Sequence, residues 1–210
     1  MTRRWIAASA ICLAFGAVMA AQGTRPASPA GTAATEIGGS YVTRPGADGP
    51  TYQGGKWIEM TFGRPIKRGR DLWGSGADYG KTIAGDAPVW RAGANLTTRL
   101  KTELPLVING KTVPVGEYSI FIDLKPNNWT FIVSNWPAQT RYEPENKNAL
   151  YGAYGYTPDK DVVRAPMTLT TLPISVDQLD WVFADMTNTG GKMAIMWDNV
   201  LATVPFTVGQ

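Results

Sequence analysis

Apolar and polar side chains alternate along most of the chain after residue 95. Every second residue is apolar in 117–124, and the same alternation recurs at 129–133 and 179–183. A period of two places the apolar side chains on one face of a β-strand. Asn109-Gly110 separates two such runs and is a strong signal for a tight hairpin turn. We therefore predict about eight to ten short strands, mostly antiparallel, with little helix.

Turn-forming residues favour the same fold class. The chain has 23 glycines and 15 prolines among 210 residues, and no amphipathic run of useful helical length lies between them. Short strands joined by such turns are typical of an all-β fold, either a β-sandwich or a jelly roll with long ordered loops. An irregular β-barrel is the main structural alternative.

The N-terminus has the pattern of an export signal. Arg3 and Arg4 precede an uncharged, mostly apolar run at 5–17, and small residues near Ala20 suit cleavage. The apolar run is short for a bilayer span, so a permanent membrane anchor is the weaker alternative. We expect the signal to be removed and the mature protein to have no membrane span.

Composition changes after this signal. Residues 21–36 are rich in Ala, Gly, Thr, Ser and Pro without apolar periodicity, which is typical of a flexible linker. We therefore predict a signal peptide at 1–20, a flexible linker at 21–36 and a single β-sandwich domain at 37–210. The protein would then be exported, either to the periplasm or into the medium.

Charge and reactive side chains limit the function classes. The formal net charge is +3, and removal of Arg3 and Arg4 would leave 18 basic against 17 acidic residues. So small an excess gives no general attraction to nucleic acid, and we predict no nucleic-acid partner. The chain has no histidine, and its one cysteine, Cys12, lies in the predicted signal. These facts exclude a Ser-His-Asp triad, a catalytic cysteine and a Cys/His zinc site in the mature chain, and we predict no cofactor or metal.

The segment 62–95 concentrates cationic, aromatic and glycine residues. We predict an ordered loop-and-turn segment that lies over one part of the β-domain. Arginine forks bind carboxylate or phosphate through paired hydrogen bonds, so this segment is the candidate binding site. The candidate ligand-binding residues are Arg64, Arg70, Tyr79, Lys81, Trp90, Arg91 and Asn95. For the cationic residues themselves a structural role is the favoured interpretation, with loop carbonyls and Asp71, Asp78 and Asp86 as their partners.

Several short motifs in this segment occur together. They are Arg64-Pro65, the basic run at 67–70, Tyr79-Gly80-Lys81 and the WRAGAN run at 90–95, followed by the VGEYS hairpin at 115–119. With these motifs the chain resembles the exported bacterial domain-of-unknown-function family 2911 over roughly residues 56–208. It departs from shorter members at 82–89, where they have a tighter link. The resemblance implies an exported, mostly β domain without an established activity.

Three function classes remain open. The leading hypothesis is an exported β-sandwich module that binds a small anionic or sugar-like ligand at the 62–95 segment. Arg64, Arg70 and Arg91 are the strongest ligand candidates, since each falls on a motif of the resembled family. A carboxylate-based hydrolase is the first alternative, with Glu117 and Asp123 among its candidates, but sequence spacing does not show that two carboxylates meet. A structural or protein-interaction domain of the cell envelope is the second.

Overall fold

The computed structural model describes residues 26–209, which fold into twelve β-strands with little helix. The strands form three antiparallel sheets of six, four and two strands. Their bounds are β1 Ala30–Ile37, β2 Ser40–Val42, β3 Thr51–Gln53, β4 Lys56–Gly63, β5 Thr98–Thr102, β6 Leu106–Ile108, β7 Lys111–Val113, β8 Gly116–Asp123, β9 Thr130–Ser134, β10 Asp161–Pro166, β11 Thr168–Thr187 and β12 Gly190–Val208. The all-β prediction is confirmed, with more strands than the alternation indicated. The predicted signal peptide lies outside the described residues.

The first sheet has the strand order β1-β4-β5-β8-β9-β10, and the second has the order β11-β12-β6-β7. The second sheet is dominated by the long hairpin of β11 and β12. Asn109 and Gly110 have φ angles of 50° and 73° and join β6 to β7, which confirms the predicted tight turn.

One large apolar core joins the two sheets. Leu100 and Ile120 from the first sheet and Trp181 and Ile195 from the second belong to one contiguous cluster of buried side chains. Phe131 of β9 and Trp181 of β11 meet edge to face, with ring centroids 6.1 Å apart. The arrangement is that of a sandwich, as predicted.

The opposite face of β8 and β9 is also covered. Phe121 and Ile132 point away from the main core and pack with Val89, Leu150 and Tyr156, which lie in the loops before and after these strands. Both faces of the two strands are therefore buried. The loops that cover them are part of the packed structure and bring residues 150–156 close to the 62–95 segment.

Strand β1 corrects the predicted linker. Residues 30–36 were expected to be flexible, but Ala30–Ile37 pairs with β4 at eight positions in uninterrupted antiparallel register. Backbone hydrogen bonds hold an edge strand, and its outer side needs no apolar periodicity. The linker prediction is therefore wrong for residues 30–36.

The 62–95 segment joins β4 to β5 of the first sheet and contacts both sheets as an ordered run of loops and turns. After β4, Ile66 forms a bridge with Gln178 of β11, and Trp90 later forms a bridge with Ile122 of β8. Between these bridges the chain forms a 3-10 turn, Gly76–Asp78, and a one-turn helix, α1, Lys81–Ala84. Over residues 26–209 no helix is long and apolar enough to span a bilayer.

Candidate functional site

Tryptophan rings fix the position of the 62–95 segment. Trp73 packs on Trp129 with centroids 4.8 Å apart, and Trp90 stacks on Trp197 at 6.1 Å. Trp90 is 1% exposed, and its indole nitrogen donates a hydrogen bond of 3.1 Å to the Gly93 carbonyl. Trp90, one of the predicted ligand-binding residues, is therefore a core residue that holds the following turn in place.

The turn at 91–95 is held from several sides. Ala92 is fully buried with a positive φ of 55°, and Asn95 has a φ of 62°. The Ala92 carbonyl accepts hydrogen bonds from Thr98 at 3.2 Å and from the Trp181 indole at 2.9 Å. Asn95 donates through its side-chain amide to the Ser28 carbonyl at 3.1 Å. This turn presents Arg91 and Asn95 on a rigid backbone.

Arg64 ties the start of the segment to β11. Its guanidinium forms an ion pair of 2.9 Å with Asp180, and its Nε donates to the Leu179 carbonyl at 3.3 Å. Lys67 forms a short ion pair with Asp198 in the same region. Because their charges are matched by aspartates of the second sheet, both residues act here as structural contacts.

Arg70 and Arg91 line one open cleft of about 240 Å³ together with Asn95, Thr82 and Trp197. Arg70 donates from Nη2 to the Ile66 carbonyl at 2.8 Å and from Nε to the Lys67 carbonyl at 3.0 Å. Arg91 donates from Nη1 to the Asn95 carbonyl at 2.8 Å. Each guanidinium is thus oriented by backbone oxygens and keeps N–H groups that make no hydrogen bond within residues 26–209.

Aromatic rings and a close glycine complete the support of these two arginines. The Arg70 guanidinium carbon lies 6.0 Å from the Trp197 ring centroid, and that of Arg91 lies 5.4 Å from the Tyr154 centroid. Gly152, at a φ of 64°, leaves the space that Arg91 occupies, since a β-carbon there would come within 2.6 Å of the guanidinium.

The cleft carries positive charge that the described residues do not neutralise. In residues 26–209 neither Arg70 nor Arg91 forms an ion pair, and no carboxylate lines the cleft. Carbonyl oxygens orient a guanidinium but leave its net charge in place. The cleft therefore has the electrostatics of an anion site.

The remaining predicted residues lie elsewhere. Tyr79, Lys81 and Trp90 line a separate open cleft of about 320 Å³. Of the residues of α1, Lys81 and Ala84 line this cleft, whereas Thr82 and Ile83 line the first cleft, that of Arg70 and Arg91. The Tyr79 hydroxyl accepts a hydrogen bond of 2.9 Å from the Trp129 indole. Lys81 and Asp78 pair at 2.8 Å on the surface, and their hydrogen bond lowers the pKa of Asp78. The structure thus separates the predicted residues into two clefts, with Arg64 in neither.

A comparison with protein families finds one match. The model of a family described as "Protein of unknown function (DUF2911)" matches residues 47–206, more than half of the chain. The chain belongs to this family. No curated protein and no solved structure matches. The match confirms that the family is the one the motifs indicated, and the family's description assigns no activity to this DUF2911 protein.

Sequence reasoning missed part of the first cleft. Trp197 alternates with apolar neighbours along β12, a pattern typical of core residues, and it is 3% exposed, yet it also lines the cleft. Thr82 had no distinguishing signal. Gly152 has the local pattern of a turn glycine, and its close approach to Arg91 joins residues that are 61 positions apart in the chain. No local pattern reports such a contact.

The candidate carboxylates of the hydrolase alternative are mostly engaged. Asp123 and Asp161 meet across Arg164, whose guanidinium donates to each at 2.9 Å. The Tyr156 hydroxyl donates to Asp161 at 2.6 Å, and burial together with this contact raises the pKa of Tyr156. Glu117 pairs with Arg99 at 3.1 Å. Within residues 26–209 no group of three or more acidic, histidine or cysteine side chains is arranged to hold a metal.

Proposed function

We propose that this DUF2911 protein is an exported binding module that holds a small anionic ligand in the cleft of Arg70 and Arg91. The observation that carries the proposal is the pair of guanidinium groups without carboxylate partners in one acid-free cleft. Elsewhere in the same segment Arg64, Lys67 and Lys81 all have aspartate partners. The export part rests on the N-terminal signal pattern alone.

Carboxylate and phosphate groups fit the donors of this cleft. After their bonds to backbone carbonyls, Arg70 retains N–H donors at Nη1 and Arg91 retains them at Nη2 and Nε. These are charge-assisted donors, which form shorter and stronger hydrogen bonds with anionic oxygens than neutral groups do. Trp197 supplies an apolar wall beside them. The volume of about 240 Å³ lies below the range of drug-sized pockets, which favours an anion of a few heavy atoms.

The rigidity of the site supports a binding role. Arg91 and Asn95 lie on a turn that is anchored by Thr98, Trp181 and Ser28. Arg70 is held by two backbone carbonyls. Little conformational freedom would be lost when an anion binds, so the contacts contribute more of their energy to affinity.

Titration calorimetry with inorganic phosphate, sulfate and citrate tests the proposal. We expect the protein to bind at least one of these anions and the affinity to fall with added salt. Arg70→Ala or Arg91→Ala should weaken that binding by about tenfold or more, because a hydrogen bond to a charged group contributes roughly 1.5–3 kcal/mol. Arg70→Lys should retain part of the affinity that Arg70→Ala loses, because lysine keeps the positive charge but lacks the paired N–H donors of the guanidinium.

Arg44→Ala is the matched control. Arg44 is exposed in the turn between β2 and β3, and its side chain makes no hydrogen bond or ion pair in the described part of the chain. Its removal changes the net charge equally but should leave the affinity unchanged. Equal weakening in all three alanine variants would indicate a general charge effect, and unchanged affinity in the two cleft variants would refute the proposed site.

A further inference from the structure

A third and larger cleft lies next to Arg91, which contacts Tyr154 in its lining. Its volume is about 870 Å³, and it is formed by the loop at 139–149 together with residues 150–155. Tyr142, Tyr151 and Tyr154 line it together with polar side chains of the loop. The volume falls in the range of pockets that hold ligands of drug size, well above that of the anion cleft.

One buried side chain organises the loop that forms this cleft. Gln139 is 6% exposed, and its amide nitrogen donates to the carbonyls of Glu143, Asn146 and Ala149 at 3.1, 3.2 and 2.9 Å. Its amide oxygen accepts from the Glu143 backbone nitrogen at 2.9 Å. The backbone nitrogen of Gln139 also donates to the Leu150 carbonyl at 2.9 Å. The loop therefore has a fixed shape although it contains no regular secondary structure.

Aromatic rings are exposed on this fixed frame. Tyr142 and Tyr154 are 64% and 56% exposed, so much of each ring is open to solvent. Tyr142 packs edge to face on Tyr151, with centroids 4.8 Å apart, so its orientation is set. Arg91 covers part of the Tyr154 ring. The hydroxyls of these tyrosines make no hydrogen bond within residues 26–209 and are free to donate or accept.

The charges around the cleft are balanced. Glu143 accepts from Arg141 at 2.8 Å and from Asn146 at 3.1 Å, and these hydrogen bonds lower its pKa. Glu145 and Lys147 add one further charge of each sign to the lining. A strongly charged ligand would gain little here. Exposed polar side chains and free phenol groups equally disfavour a purely apolar ligand.

From this combination we propose that the tyrosine-lined cleft binds a neutral saccharide. Sugar rings have flat faces of C–H groups, which pack on aromatic rings, and hydroxyls around the edge, which pair with phenol, amide and carboxylate groups. Rigid tyrosines provide such contacts at a low cost in conformational entropy. This cleft and the anion cleft have no lining residue in common, and Tyr154 links them through its contact with Arg91.

Saturation-transfer NMR with the full chain tests the proposal directly. The probes are neutral oligomers of glucose and of N-acetylglucosamine, in α- and β-linked forms, because this method detects weak binding. We expect transfer to the ring protons of at least one oligomer. Tyr142→Ala and Tyr154→Ala should each weaken that binding by about tenfold, as loss of a central aromatic contact commonly does.

Tyr41→Ala and Arg70→Ala serve as controls. Tyr41 is 73% exposed on β2, far from the cleft in the chain, and its loss should leave saccharide binding unchanged. Arg70→Ala should weaken phosphate binding by about tenfold or more and leave saccharide binding intact, which separates this proposal from the anion site. The absence of transfer to every oligomer, or transfer that persists in both cleft variants, would overturn the saccharide assignment.

Discussion

Gly63 is the last residue of β4, where the chain leaves the first sheet for the 62–95 segment. A β-carbon at this position would lie 2.8 Å from the carbonyl carbon of Ala94 and closer still to its oxygen. Favourable carbon contacts begin at about 3.5 Å, so Gly63→Ala requires a displacement of roughly 0.7 Å or more. The obstacle is backbone, and the turn to which it belongs is fixed by the bonds of Ala92 and Asn95.

The cost follows from the rigidity of that turn. Overpacking of a closely packed site costs about 1–3 kcal/mol, and we expect the upper end of this range because no flexible side chain can move away. For a domain of this size about 1 kcal/mol lowers the melting temperature by roughly 2–4 °C. Gly63→Ala should therefore melt roughly 6–12 °C below the parent protein, by the same estimate.

Thermal unfolding followed by circular dichroism measures the effect, with Gly49→Ala as the matched control. Gly49 is exposed, and no atom outside its neighbours lies within 4 Å of a β-carbon built there. Its substitution should change stability by less than about 0.5 kcal/mol. Phosphate affinity should also fall in Gly63→Ala because the turn carries Arg91. Equal melting temperatures for the two variants would refute the argument that the 91–95 turn is rigid.

Two further predictions concern the charged residues of the same region. Gly152→Ala should displace the Arg91 guanidinium and weaken phosphate binding about as much as Arg91→Ala does. Gly155→Ala, also at a positive φ but without that contact, should retain the parent affinity in calorimetry. Equal weakening in both variants would attribute the effect to backbone strain. Burial alone would raise the pKa of Asp198, but the hydrogen bond from Lys67 contributes to a net lowering. The stabilisation therefore holds above the ordinary aspartate pKa of about 3.9 and is lost as the pH falls through the lower folded value. Urea unfolding should show that Asp198→Asn is less stable than the parent at pH 7, with the difference shrinking below about pH 4; a difference that stays constant down to pH 3 would contradict this ion pair.

The candidate site was only partly accessible from the sequence. The density of cationic, aromatic and glycine residues predicted the 62–95 segment as the candidate site, and the structure places Arg91 and Asn95 of this segment in one cleft. The local sequence does not show which cationic side chains lack a carboxylate partner. Arg64 meets Asp180 across 116 residues, whereas Arg70 finds only carbonyl oxygens three and four residues away.

Contacts between distant residues also decided part of the fold that the sequence did not predict, as the predicted linker shows. Residues 30–36 have the composition of a flexible tether, yet they form the edge of the first sheet. Backbone hydrogen bonds to β4 hold this strand. These bonds depend on the position of the partner strand and hardly on side-chain identity, so the composition of residues 30–36 does not reveal them.

By itself, the order of residues determined the all-β fold, the position of the Asn109-Gly110 turn and the exclusion of histidine chemistry from the chain. These follow from local properties, since alternation, turn propensity and residue identity are each read within a few positions. Only the tertiary structure decided that Arg70 and Arg91 share a cleft without a carboxylate. It also decided that Tyr142, Tyr151 and Tyr154 line the larger cleft beside it. Both facts are about which distant groups meet, and that is settled by the packing of the two sheets and the loops that cover them.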